Sequence, residues 1–78
     1  MKYKEKPLLT PQHLEQAVAM GAKLARLRHA RKVRQVDAAA RAGLARSTAV
    51  LIEKGDPGRT LGQIFRYMDA IAPGLTLP

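Results

Sequence analysis

The residues best suited to chemistry in this chain are cationic and lie close together. Between Lys23 and Arg34 there are six basic side chains and no acidic one, in a chain of 78 residues with a net charge of +8. Basic side chains neutralise phosphates and release the counterions of a nucleic acid, which supplies most of its sequence-independent affinity. Charge that only kept the protein soluble would not need to cluster, so the pattern favours a nucleic-acid-binding surface.

Residues suited to catalysis or metal binding are scarce. The chain has no Cys, its two histidines, His13 and His29, are far apart, and its six acidic residues are dispersed. General acid–base catalysis needs paired titratable groups, and a helical metal site needs ligands one turn apart. We therefore predict that the protein is not an enzyme and has no metal site, no cofactor and no small-molecule substrate.

The sequence also lacks long apolar stretches. No run of apolar residues approaches the roughly 20 that a membrane span requires. The charged start of the chain, Met1 to Lys6, lacks the apolar core of a signal peptide. These features predict a cytoplasmic protein with no membrane partner.

The spacing of the apolar residues predicts an all-α fold. β-branched residues are too few to favour strands. Thr10 is a good N-cap and Pro11 a good first residue for a long helix that continues to about Arg31. A break at Gly21 would divide this helix, so the prediction is a compact bundle of four or five helices. Three shorter helices are predicted after it, over 35–42, 46–54 and 61–72.

These elements form one domain over residues 10–73, between two short end segments. Residues 1–9 form a basic arm with Lys2, Lys4 and Lys6. The arm is either a flexible leader or a segment that follows phosphates or the minor groove. Residues 74–78 form a tail that is either coil or an edge strand pairing with another chain.

One set of positions has the spacing of two short helices joined by a tight turn: Arg28, Gln35, Ala39, Gly43, Leu44, Ser47, Glu53 and Gly55. In this spacing the chain resembles the phage-repressor and Cro-type (Xre) helix-turn-helix family over about residues 20–72. The resemblance implies a lambda-repressor-like bundle with its helix-turn-helix at 35–54. The run Glu-Lys-Gly-Asp-Pro-Gly at 53–58 further resembles HipB-type antitoxins.

The resemblance also implies which residues touch DNA. In such proteins the third helix enters the major groove and the second crosses the phosphates. Leu51 would meet thymine methyl groups or pack on another surface. The residues expected to read bases are Gln35, Arg46, Ser47 and Leu51. The residues expected to bind phosphates are Arg34, Thr48, Lys54, Arg59 and Thr60.

Arg28 and Glu53 face each other in this family, which implies a largely buried ion pair. The alternative is that both are ordinary surface charges. Arg28 falls within the apolar stripe of the first helix and needs a partner there, so we favour the pair. Loss of either partner should then cost about 3–5 kcal/mol.

Six positions depart from the family pattern, and at two of them, Val50 and Leu51, apolar residues stand where the third helix is often polar. Arg34 and Ala45 replace the polar side chains that usually cap the second and third helices, and each missing cap costs about 1 kcal/mol. Ala38 and Ala49 replace larger aliphatic residues and make the core thin. Since a core this small rarely supplies more than about 3–5 kcal/mol, a second subunit would be a natural source of stability.

The resemblance implies a sequence-specific, double-stranded-DNA-binding repressor that binds a palindromic operator as a homodimer. As an antitoxin, it would also have a cognate toxin as partner. The alternative is an adaptor that binds nucleic acid without sequence preference. Dimer contacts are expected in the last helix and the tail, or else in the N-terminal part of the first helix. The expected contact residues are Phe65, Tyr67, Leu75 and Leu77.

Overall fold

The structure, a computed structural model, describes residues 9–74. This part of the chain contains four α-helices and confirms the all-α fold class. The first helix continues through Gly21 without a break. The basic arm up to residue 8, with its three lysines, and the tail residues Leu75 and Leu77 lie outside the described residues. The helices are α1 (Pro11–Ala30), α2 (Gln35–Ala42), α3 (Arg46–Lys54) and α4 (Leu61–Ile71).

The first and last helices of the chain, the outer helices, begin with a capping box. The two inner helices, α2 and α3, do not. Thr10 Oγ1 accepts a hydrogen bond from the backbone N–H of His13 at 3.1 Å, and His13 Nδ1 accepts one from the backbone N–H of Thr10 at 3.3 Å. Thr60 makes the equivalent box at the start of α4. Arg34 and Ala45, which precede α2 and α3, make no side-chain cap. The two inner helices therefore depend on packing for their stability more than the outer two do.

The turns that end α2 and α3 are built on glycines in the left-handed region. Gly43 has a φ of 70° and Gly55 a φ of 81°, values that cost a residue with a Cβ free energy. After α2, the N–H of Leu44 donates to the carbonyl of Ala39 at 2.9 Å, which is the hydrogen bond of a Schellman motif. This sharp turn allows α3 to begin close to where α2 begins, on the same side of the bundle.

The core combines small residues, mostly alanines of α2 and α3, with larger apolar residues and one buried tyrosine. Ala38 and Ala49 are fully buried, as is Tyr67 of α4. The alanines let α2 lie close to both α3 and α4, the two helices on which it mainly packs. The small residues that replace larger aliphatic ones therefore bring the helices closer together. The other buried apolar residues are Leu24, Ala39, Ala42, Ile52, Ile64, Met68, Ile71 and Ala72.

Helix α1 crosses the C-terminal end of α3 with backbone against backbone. A Cβ placed on Gly21 would lie 2.6 Å from the carbonyl oxygens of both Ile52 and Glu53, far inside van der Waals contact. A Cβ placed on Gly55 would overlap the backbone of Val18 in the same way. Gly21 is therefore a packing position rather than a helix break.

Tyr67 does not lie where the sequence analysis put it. We predicted a dimer contact, but its side chain is 0% exposed within the protomer and its hydroxyl donates a hydrogen bond to Glu53. A buried phenol needs such a partner. Leu61 and Phe65 are instead 65% and 48% exposed. The apolar face of α4 is wider than the part of the helix that packs on the core, so these two side chains are left in contact with solvent.

Candidate nucleic-acid interface

The start of α3 forms the exposed edge of the domain. Arg46 and Ser47, its first two residues, are exposed, and Thr48 is half-buried. Leu51 is 37% exposed and lies one helical turn after Ser47, on the same face. No other described segment covers this edge, which offers a guanidinium, a hydroxyl and an apolar surface side by side.

A buried ion pair stands behind this edge. Arg28 Nε donates to Glu53 Oε2 at 2.6 Å, and Arg28 Nη2 donates to Glu53 Oε1 at 3.0 Å. The two side chains are only 10% and 9% exposed. Arg28 Nη1 also donates to the carbonyl of Val33 at 3.0 Å. The guanidinium is therefore bidentate to the carboxylate and also holds the chain that leads into α2.

The carboxylate of Glu53 collects four hydrogen bonds in all. Besides the two from Arg28, it accepts one from the Tyr67 hydroxyl and one from Gln35 Nε2, the latter at 3.2 Å. Burial alone would raise the pKa of Glu53, but the hydrogen bonds from Arg28 and Tyr67 outweigh it and hold the pKa below its usual value. Burial and the bond to Glu53 raise the pKa of Tyr67. Glu53 is therefore ionised and Tyr67 is neutral at neutral pH.

The hydrogen bonds continue from Glu53 to the exposed edge. Arg46 Nε donates to Gln35 Oε1 at 3.5 Å, which is longer than the usual N–H···O hydrogen bond. Two residues predicted to read bases are thus in contact and joined to the predicted ion pair. This connection was not predicted from the sequence. The available signal was that both residues are first in their helices, on either side of a tight turn.

The family model of the helix-turn-helix domain matches residues 19–72, most of the chain. The matched segment contains α2, the turn at Gly43 and α3 in full. The chain belongs to the helix-turn-helix domain family. Membership indicates a DNA-binding regulator, and proteins of this class are typically not enzymes. No curated protein and no solved structure matches the chain.

Two of the cations predicted to bind phosphate in this helix-turn-helix domain are paired with aspartates. Arg34 Nε donates to Asp37 at 3.0 Å, and Arg59 Nε donates to Asp56 at 3.0 Å. The first pair is largely exposed, and the second is about one-third exposed. Ion pairs in contact with water are weak, so a phosphate can replace either aspartate.

The remaining predicted phosphate ligands lie in α3 or at the start of α4. Lys54 is exposed in its last turn, and Thr60 is exposed at the start of α4. The Thr60 hydroxyl oxygen accepts the N–H of Gln63 at 3.1 Å, which leaves its proton free to donate to an anion. Thr48 is the least accessible of the set, since it is half-buried.

The basic cluster of the sequence is divided in two by the helix-turn-helix fold. Lys23 and Arg26 are exposed on the side of α1 opposite the buried Leu24 and Arg28. Only the second half of the cluster, 31–34, leads directly to the start of α2. The positive charge is therefore spread over two surfaces, of which one adjoins the exposed edge of α3.

Residues 9–74 contain neither a membrane-spanning helix nor a group of metal ligands. None of their helices is long and apolar enough to cross a membrane. No three of their His, Asp and Glu side chains are grouped so as to hold a metal ion. The exposed edge of α3, with the residues behind it, is therefore the candidate functional site.

Proposed function

We propose that the protein is a transcriptional repressor that recognises a specific double-stranded DNA sequence with α3 in the major groove. The observation that carries the proposal is the uncovered start of α3. Arg46 can donate two hydrogen bonds to the O6 and N7 atoms of guanine, and Ser47 can bond a base or a phosphate. Leu51, exposed one turn later, provides an apolar contact for a thymine methyl group.

Phosphate contacts on either side of α3 would set its position along the groove. Arg34 lies before α2, Lys54 is the last residue of α3, and Arg59 and Thr60 follow α3, so the two sets lie on either side of the start of α3 along the chain. Such contacts fix register without reading sequence. Each neutralised phosphate steepens the salt dependence of log affinity by about 0.9. Substitution of Lys54 by Ala should therefore weaken specific and non-specific binding alike.

A homodimer on a two-fold-related operator is the second part of this proposal. Two apolar side chains, Leu61 and Phe65, are exposed one turn apart on α4, where Phe65 was predicted to make a dimer contact. Leu14 and Val18 are exposed in the first half of α1. Residues 11–20 contain no Lys or Arg, so this surface would not repel a second copy as strongly as the rest of the protein.

The apolar surface on α1 lies at the opposite end of α3 from Arg46. Val18 lies beside Gly55, just beyond the C-terminal end of α3. The nine residues of α3 separate that end from Arg46 by about 13 Å at 1.5 Å per residue. Contacts centred on Val18 would therefore lie about 13 Å from the start of α3.

The antitoxin role is a prediction that the fold does not favour over a simple repressor. In the structure, residues 53–58 form the end of α3 and the Schellman turn at Gly55, followed by the Asp56–Arg59 ion pair. These features have structural roles whether or not a toxin is present.

Selection of bound duplexes from a random pool tests the proposal. We expect a symmetric consensus with a guanine in each half-site, because a homodimer reads the same bases twice. Arg46→Ala should then lower affinity for the consensus about 10- to 100-fold for each half-site, the value of a bidentate contact to guanine, and by about the square of that factor for the homodimer. Affinity for random duplex should change far less.

The matched control is Arg66→Ala, which removes an exposed arginine from α4. This variant should bind both duplexes as the wild type does. If no sequence is enriched, or if Arg46→Ala weakens both duplexes equally, the protein is an adaptor that binds nucleic acid without sequence preference. An asymmetric consensus would refute the homodimer alone.

A further inference from the structure

A continuous path of polar contacts runs from the buried ion pair to the first residue of α3. Arg28 and Tyr67 donate to the carboxylate of Glu53. Gln35 Nε2 donates to the same carboxylate at 3.2 Å, and Gln35 Oε1 accepts from Arg46 Nε at 3.5 Å. Gln35 is half-buried between a buried residue and an exposed one. It is the only link between them among the described residues.

The orientation of the Gln35 amide follows from its two neighbours. An ionised carboxylate only accepts hydrogen bonds, so the NH₂ end of the amide must face Glu53. A guanidinium only donates, so the oxygen end must face Arg46. Both neighbours require the same orientation, and a reversed amide would lose both bonds.

The contact to Gln35 also determines which atoms of Arg46 are left for DNA. Its Nε–H points to Gln35 Oε1, which leaves the two terminal nitrogens as the free donors. Those two nitrogens can bond the O6 and N7 atoms of a guanine side by side. An arginine that is held before binding loses less side-chain entropy on binding than a mobile one does.

We propose that Glu53 is a positioning residue for base recognition, acting on Arg46 through Gln35. The carboxylate, itself held by Arg28 and Tyr67, fixes the amide, and the amide directs the guanidinium toward the base. This inference rests on the proposed function, since it concerns how the reading edge becomes selective. The contribution expected of a single hydrogen bond is about a two- to tenfold gain in base preference.

Loss of the buried network with the packing retained tests the inference. The triple variant Arg28→Met, Glu53→Met, Tyr67→Phe replaces the three buried polar side chains of the network by apolar side chains of similar shape, and it removes the Arg28 donor from the Val33 carbonyl. Such a replacement strands no charge and can leave stability intact. Gln35 and Arg46 remain, but the amide has lost its anchor.

The readout is base preference at the position that Arg46 contacts. The wild type and the triple variant are each titrated with the selected duplex and with the same duplex carrying 7-deazaguanine at that position. The modified base lacks the N7 acceptor. We expect the triple variant to keep its helical circular dichroism and its affinity for random duplex, and to lose about two- to tenfold of its guanine preference. An unchanged preference in the folded variant would overturn the inference.

If the triple variant does not fold, a measurement on the free protein tests the contact between Gln35 and Arg46 that the inference requires. Hydrogen exchange at the Nε–H of Arg46, followed by NMR, is expected to be slower than at the Nε–H of the exposed Arg66. Gln35→Leu should remove the difference. Equal rates for Arg46 and Arg66 in the wild type would overturn the inference.

Different results would refute the proposed function and the positioning role of Glu53. If selection gives no consensus, the proposed function is wrong, whatever the exchange rates are. If a consensus with guanine is found but its preference survives loss of the network, Glu53 serves stability alone and the proposed function stands.

Discussion

Replacing Glu53 with Gln perturbs the interior of this domain at one defined point. In the native protein its carboxylate accepts two hydrogen bonds from Arg28, one from Tyr67 and one from Gln35. A Gln side chain has almost the same size but a single acceptor oxygen, and it turns an NH₂ group toward some of these donors. Arg28 is then left buried without a counter-charge.

The expected cost is comparable with the whole stability of the domain. Removing one partner of a buried ion pair costs about 3–5 kcal/mol. A core in a chain of this length rarely supplies more than about 3–5 kcal/mol. The Glu53→Gln variant should therefore be largely unfolded at room temperature without denaturant.

Urea unfolding followed by far-ultraviolet circular dichroism measures the effect. The matched control is Asp37→Asn, which breaks the exposed pair with Arg34 and should leave the urea midpoint near that of the wild type, because exposed pairs contribute little. If Glu53→Gln unfolds at the same urea concentration as Asp37→Asn, the buried pair does not stabilise the fold and the reasoning fails.

Three further predictions concern acid, packing and capping. The pKa of Glu53 is lowered on folding from its usual 4.5, so its stabilising contribution is complete above that value and is lost as the pH falls through the lowered pKa. Tyr67→Phe should therefore unfold at a higher pH than the wild type in an acid titration, and an unchanged acid midpoint would contradict this. Gly21→Ala places a Cβ 2.6 Å from two carbonyl oxygens and should cost at least about 1–3 kcal/mol, whereas Gly62→Ala, whose nearest neighbour is 3.9 Å away, should stabilise by about 0.5–1 kcal/mol; equal melting temperatures would show that the crossing has room. Ala45→Ser supplies the absent cap of α3 and should raise stability by about 1 kcal/mol in the same urea experiment, unless the serine hydroxyl fails to reach the third residue of the helix.

The helices were predictable because their signals are local. The bounds of α2 and α3 agree with the sequence prediction even though neither helix has a side-chain cap. Gly43 and Gly55 stop these helices, and a glycine stop can be seen in the sequence. The N-terminal bound of α1 was equally clear from Thr10 and Pro11, which act within one turn of the helix.

The features that the sequence left open depend on contacts between distant segments. Gly21 was predicted as a possible break, and only the packing of α1 on α3 shows why a side chain is excluded there. Tyr67 was assigned to the surface because the period of α4 does not say which part of its apolar face meets the core. Once Glu53 is known to lie beneath it, its burial has a simple reason. The contact between Gln35 and Arg46 likewise requires the relative position of two helix starts.

The close crossing of α1 and α3 has a mechanical consequence. Since backbone touches backbone at Gly21 and Gly55, no compressible layer of side chains separates the two helices. Helix α1 has 20 residues and is about 30 Å long, so its N-terminal turns extend beyond the crossing. We expect a tilt of this N-terminal part of α1 to move α3 as well, including its start at Arg46.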